Sequence, residues 1–189
     1  MGSSAVKNPQ QIWTIGHSTL PATAFIALLH AHDVELLADV RRFPSSRRHP
    51  QFNRESLTES LAKVGIDYLH FPELGGRREP RPDSVNTDWR EAGFRGYADY
   101  MQTTEFQAGI ARLLEAASPE RCAIMCAEKA WQNCHRGLIS DLLKASGQEV
   151  VHIVDCGHDE PHSYTKPARL IDGILSYAAT APAQIRLDL

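Results

Sequence analysis

No apolar run in this 189-residue chain approaches the roughly 18 residues that a membrane span needs. The first residues also lack the layout of a secretory signal, so a cytoplasmic location with no membrane partner is the expectation. Cysteine is scarce, with four in all. Three of them fall between Cys122 and Cys134, and a chain of this size in a reducing compartment needs no staple, so they are expected to be reduced. There is no CxxC or HExxH pattern and no internal repeat, which removes the common zinc signatures. Neither composition nor motif names a cofactor or an oligomeric state.

What is present is enough for one core: 42% of residues are hydrophobic, and the length fits a single domain. The polar start, with Gly2-Ser3-Ser4, reads as a disordered or tag-derived tail over 1–10. The domain itself is expected over 11–180, with a C-terminal tail at 181–189. Strand and helix patterns alternate within it. Strands are predicted at Ile12–Ile15, Glu35–Val40, Ile66–Phe71, around Cys122–Met125, and at Glu149–Val154. Helices are predicted at Pro21–His32, from Asn53 or Arg54 to Gly65, around Tyr97–Met101, at Glu105–Ala117, after Gly137, and over Pro167–Ala178. Strands joined by crossover helices imply an α/β fold in which a mostly parallel five-stranded sheet is covered by helices on both faces. The stretch from Gly75 to about Gly93 has no periodicity, and a loop that long is usually functional or mobile.

The net charge of −3 hides an asymmetry. Residues 41–95 carry eleven of the 20 lysines and arginines and are net +3, which leaves −6 for the rest. The run from Arg41 to Arg54 holds five arginines, two aromatics and no carboxylate. Such a run could meet phosphate or a single-stranded nucleic acid by charge and stacking; it could equally be a solvated loop.

Every predicted strand ends in polar chemistry. The first runs into Gly16-His17-Ser18 and the second into Asp39-Val40-Arg41-Arg42, with Ser45 close behind. The third runs into Pro72-Glu73, the fourth into Cys126-Ala127-Glu128, and the fifth into Asp155-Cys156. Cys134-His135-Arg136 then stands where the next helix begins. In a parallel sheet these ends share one edge, where α/β proteins bind ligands and where a helix N-terminus lowers a thiol pKa.

Thr14-Ile15-Gly16-His17-Ser18, Asp39-Val40-Arg41 with Phe43-Pro44-Ser45, and Cys126-Ala127-Glu128 with Cys134-His135-Arg136 together resemble the family called domain of unknown function 488, over roughly Ile12 to Leu175. The resemblance implies a compact bacterial or archaeal α/β protein with a site at these residues, and no assigned reaction. Roles therefore come from residue chemistry.

Two readings compete. In an enzyme, Cys126 or Cys134 is the thiolate, Glu128 a general acid or base, and His17 and Asp39 complete the catalytic set. Ser18, Arg41, Arg42, Ser45, Glu73, His135 and Arg136 then bind an anionic, nucleotide- or nucleic-acid-related substrate. In a non-catalytic nucleic-acid or nucleotide-binding module, the arginine run and the 75–93 loop act as clamp and lid. Thiols and a carboxylate exceed what such a module requires, which favours the enzyme. Zinc held by Cys126, Cys134 and His135, with His17 or Glu128 as fourth ligand, is a further alternative. A phosphatase-like loop fits less well, because nine residues separate Cys126 from Arg136. Plainer roles remain for single residues. Gly16 and His17 could form a simple turn with a backbone cap, Asp39 and Arg41 an ion pair, and His152 a satisfied buried imidazole; Cys122 reads as core.

Overall fold

The computed structural model describes residues 10–179. Apart from Gln10, the tails expected at 1–10 and 181–189 lie outside the described residues. Gln10 belongs to the domain, since its carbonyl accepts the Glu149 N–H at 3.0 Å.

Among the described residues, eight strands and five α-helices follow in the order β1 (Gln11–Gly16), α1 (Ala22–Ala31), β2 (Leu36–Asp39), α2 (Arg54–Ala62), β3 (Asp67–His70), α3 (Ala92–Tyr100), α4 (Thr104–Ala117), β4 (Cys122–Cys126), α5 (Arg136–Ala145), β5 (Glu149–Asp155), β6 (His158–Pro161), β7 (Arg169–Ile171) and β8 (Ile174–Ser176). Six strands form one sheet in the order β3-β2-β4-β1-β5-β6. The first five are parallel, as the alternating pattern implied, and β6 adds an antiparallel edge to β5 through the Cys156-Gly157 turn. β4 and β1 sit in the middle, so their side chains are buried on both faces and the sequence reads as a continuous apolar run. The outer strand β3 alternates exposed and half-buried residues instead.

Helices cover both faces. Phe25 and Leu29 of α1 pack with Leu57 and Leu61 of α2 under one face, against Trp13, Ile15 and Met125. α3, α4 and α5 cover the other through Tyr97, Phe106, Ile110, Leu138 and Leu142, against Ile12, Leu36 and Ile124. The chain therefore leaves β2 towards one face and β4 towards the other, and the two loops part above adjacent strands. That divergence opens a crevice at the carboxyl end of the sheet between β2 and β4.

The expected helix at Pro167–Ala178 is instead the hairpin β7–β8. Asp172 and Gly173 both have positive φ, 52° and 78°; this is the two-residue turn that an Asp-Gly pair favours, matching the twist of the strands it joins. Leu170, Ile171, Ile174 and Leu175 recur at i, i+1, i+4 and i+5, which imitates helical spacing.

Behind the hairpin a buried polar chain ties the elements together. Thr14 Oγ1 meets His152 Nδ1 at 2.7 Å, His152 Nε2 meets His162 Nδ1 at 2.9 Å, and His162 Nε2 meets Asp141 Oδ1 at 2.9 Å. Thr165 and Tyr177 donate their hydroxyls to the other oxygen of Asp141. Asp141 accepts only, so His162 is protonated at Nε2. His152 is then protonated at Nε2 as well, and Thr14 donates.

Candidate functional site: a paired-thiol pocket

A cavity of about 440 Å³ fills the crevice, walled by Arg41 and Arg42 after β2, by Cys126, Ala127 and Glu128 after β4, and by Cys134 and His135 before α5. Gly76, Arg77, Glu91, Phe94 and Tyr97 close it from the 75–97 segment.

Its floor is the cysteine pair. Cys126 is the last residue of the central strand, and Cys134 follows the 3-10 turn Trp131–Asn133 just ahead of α5. Their sulfurs are 2.9 Å apart, with the Cys134 thiol donating to Cys126. His135 Nδ1 lies 3.8 Å from Cys126 Sγ and 3.6 Å from Cys134 Sγ. The other ring nitrogen, Nε2, donates to the Val40 carbonyl at 3.1 Å, which orients Nδ1 towards the thiols. Tyr97 packs against the same ring at 5.1 Å. The hydrogen bond from Cys134 holds the Cys126 pKa well below the ordinary thiol range; His135 and the Glu128 backbone N–H assist, and burial opposes. Cys134 is pushed the other way by burial and by the neighbouring thiolate. Burial alone would make His135 a weaker base, but the Cys126 thiolate prevails and raises it. The three shifts together favour the thiolate form at Cys126, with Cys134 as the thiol donor and a proton held more firmly on the His135 ring. Cys122, four residues back at the other end of β4, has its thiol pushed up to about 12 by burial.

Beside the thiols stands a rigid cationic wall. Asp39 is buried and binds Arg41 through Nε at 2.9 Å and Nη2 at 2.6 Å, while also accepting the Arg41 backbone N–H at 3.0 Å and the Tyr68 hydroxyl at 2.6 Å. Arg41 Nη1 lies 3.2 Å from His17 Nε2, and His17 Nδ1 lies 2.9 Å from the Ser18 carbonyl. His17 stacks on Phe52 with centroids 4.1 Å apart. Burial, together with the Arg41 charge, lowers its pKa to about 4, so it is neutral and protonated at Nδ1. Asp39 and His17 thus stand behind Arg41, away from the pocket wall.

Other expected residues separate from this site. Glu73 pairs with Arg112 of α4 and is absent from the pocket lining, because the 3-10 turn Pro72–Leu74 directs it outward along that helix. Ser18 lines a second cavity beside α1 and the β5–β6 turn, and Cys156 is exposed there. Arg136 is interior, 1% exposed. Its Nη2 donates to the Lys129 carbonyl at 3.1 Å, its backbone N–H meets Cys134 Sγ at 3.4 Å, and Nε and Nη1 have no partner among the described residues. It acts on Cys134 as a buried positive charge. Ser45, Arg42 and Glu128 do reach the pocket. Of the arginine run, Arg41 is taken up by Asp39, and Arg47, Arg48 and Arg54 are exposed.

The segment from Gly75 to Gly93 is fastened rather than loose. Asp99 of α3 accepts from Arg81 N, Ser84 Oγ and Asn86 Nδ2 at 2.6–2.9 Å, and Trp89 is buried. Sequence reasoning passed over Gly76 and Tyr97, which shape the pocket. Gly76 lies so close to His135 that a Cβ there would be 2.8 Å from Nδ1, and at Gly75 one would be 2.6 Å from the Arg42 Cα. The Gly-Gly pair just past the 3-10 turn that follows β3 was the signal.

Cys126, Cys134 and His135 place their donor atoms within 4.8 Å of one another and could supply three metal ligands. A structural zinc takes four. Of the expected fourth ligands, His17 has both nitrogens engaged, and Glu128 is outside the cluster.

Fold and site together define a parallel α/β protein with a thiol centre at its topological switch point. A family model described as Domain of unknown function DUF488 matches residues 21–143, well over half of the chain, and the chain belongs to that family. Comparison with curated proteins and with solved structures finds no significant match.

Proposed function

We propose that this protein is an enzyme whose nucleophile is the Cys126 thiolate, acting on a small substrate with an anionic group. The observation that carries the reading is the set of donors converging on one pocket-facing sulfur: the Cys134 thiol, the His135 imidazole and the Glu128 N–H. A buried structural cysteine needs none of them. Arg42 and Arg77 at the mouth, beside the rigid Arg41, would meet the anionic group, and the exposed Phe43 with the half-buried Phe94 offers surfaces for an apolar or planar part. Glu128 at the rim would exchange protons with the substrate or leaving group, and His135 would stabilise the charge that Cys126 passes on. Asp39 and His17 are positioning residues that hold Arg41.

Alkylation against pH tests this. With a small haloacetamide and site-by-site mass spectrometry, Cys126 should react fully below about pH 7.5, ahead of a free thiol near 8.5. Cys122 should stay inert. If Cys126 reacts no faster than a model thiol, the nucleophile is lost. Labelling that appears only after a chelator is added would replace it with a metal site.

A further inference from the structure

For acyl or phosphoryl transfer a second thiol in contact with the nucleophile serves no purpose, yet Cys134 Sγ lies 2.9 Å from Cys126 Sγ. The two sulfurs reach the same pocket from different elements, the end of β4 and the start of α5. Only a short loop closes between them, so a bond could form by side-chain adjustment with the sheet and helix in place. The roles are also unequal. Cys126 receives donors, whereas Cys134 donates its S–H hydrogen bond to Cys126 and accepts from the Arg136 N–H. An attacking thiol and a resolving thiol need this division.

We infer that Cys126 and Cys134 form a dithiol–disulfide couple that exchanges with a small disulfide bearing charged groups, Cys126 attacking and Cys134 resolving. This rests on the reading of Cys126 as nucleophile and names its substrate class. In the first step the Cys126 thiolate attacks one sulfur of R–S–S–R′; a Cys126–S–S–R bond forms, and R′–S leaves with the His135 Nδ1 proton as R′–SH. Cys134 then gives its proton to the Nδ1 so freed, and its sulfur attacks Cys126 Sγ. R–S leaves with that proton as R–SH, and the protein holds a Cys126–Cys134 disulfide. Two electrons have passed from the protein sulfurs to the substrate, and an external dithiol returns them. The pocket rim carries both signs, Arg42 and Arg77 against Glu91 and Glu128, which suits a disulfide with amino-acid-type groups. Burial of both sulfurs within the pocket keeps larger disulfides out.

Oxidised glutathione is the probe, with bis(2-hydroxyethyl) disulfide as the neutral comparison, on the full chain carrying Cys156→Ser at the exposed turn. The expected product is two hydrogens lighter than the start, carries no glutathione, maps to a Cys126–Cys134 peptide pair, and reverts with dithiothreitol. It should form about tenfold faster from oxidised glutathione than from the neutral disulfide, and Arg42→Ala with Arg77→Ala should remove that preference. Cys134→Ser should stop at a glutathione adduct on Cys126. A lasting adduct, or no product, in the protein with both cysteines would overturn the couple while leaving the nucleophile intact if Cys126 still alkylates rapidly. Should it alkylate no faster than a model thiol, both readings fall. If Cys134→Ser does not fold, the peptide map of the parent protein decides alone.

Discussion

Both carboxylate oxygens of Asp39 are occupied, by three groups of Arg41 and by Tyr68, so its work is to fix a guanidinium at the pocket wall. Removing one partner of a buried pair leaves the other charge uncompensated, which costs about 3–5 kcal/mol. Asp39→Ala is therefore expected to lower the urea unfolding free energy by roughly that amount. A loss below about 1 kcal/mol would mean that Arg41 finds another anchor. Residue types carried part of this. Cys126, Cys134 and His135 could be placed together from sequence because a strand end and a helix start bracket them. Which polar groups would saturate each other was hidden, since Asp39 and Arg41 stand two apart in the chain and the carboxylate's further partner, Tyr68, comes from β3. Glu73 was misplaced for a similar reason: Arg112, which draws it away, lies 39 residues on.

At the scale of elements, strand and helix alternation was legible from apolar spacing wherever an element packs on the core. The C-terminal hairpin was not, because two short strands around Asp172-Gly173 repeat their apolar residues at a helix-like interval; only the turn chemistry distinguishes them. The 75–93 segment lacks any period, so its path is not legible in the chain; Asp99, buried on α3, gathers it through three hydrogen bonds. One consequence is that the segment presses on the site. A Cβ at Gly76 would meet the His135 ring, while one at Gly93, in the same pocket wall, would meet nothing within 4 Å. Gly76→Ala should thus displace the imidazole and slow Cys126 alkylation at pH 7 by about tenfold, the factor for roughly one pKa unit. Gly93→Ala should leave the rate unchanged. Equal rates in the two variants would show that His135 does not set the reactivity of Cys126.

Across the whole molecule, His135 and the two other buried imidazoles, His17 and His152, respond to pH with opposite signs. His17 under the pocket and His152 in the Thr14–Asp141 chain are buried and neutral, at about 4 and about 2, with burial the leading cause in each. Unfolded, both return to about 6.5. Between that value and the folded one, the unfolded chain binds protons that the native state refuses, so acid favours unfolding. His135 works the other way. Its folded pKa is raised, so its contribution is complete below about 6.5 and is lost only as pH climbs through the folded value. From pH 6.5 down to 5 it therefore stays constant and cannot mask the other two. His17 alone would withdraw on the order of 3 kcal/mol by pH 4, with His152 adding to it over the same range. Urea midpoints should fall steadily between pH 6.5 and 5, before most carboxylates titrate. His152→Gln, which has no proton to take up, should flatten that slope even if it lowers stability at every pH. A midpoint that holds level over this window in the parent protein would mean that the buried imidazoles accept protons in place, and that the single direction of hydrogen bonding from Thr14 to Asp141 is not what the folded state requires.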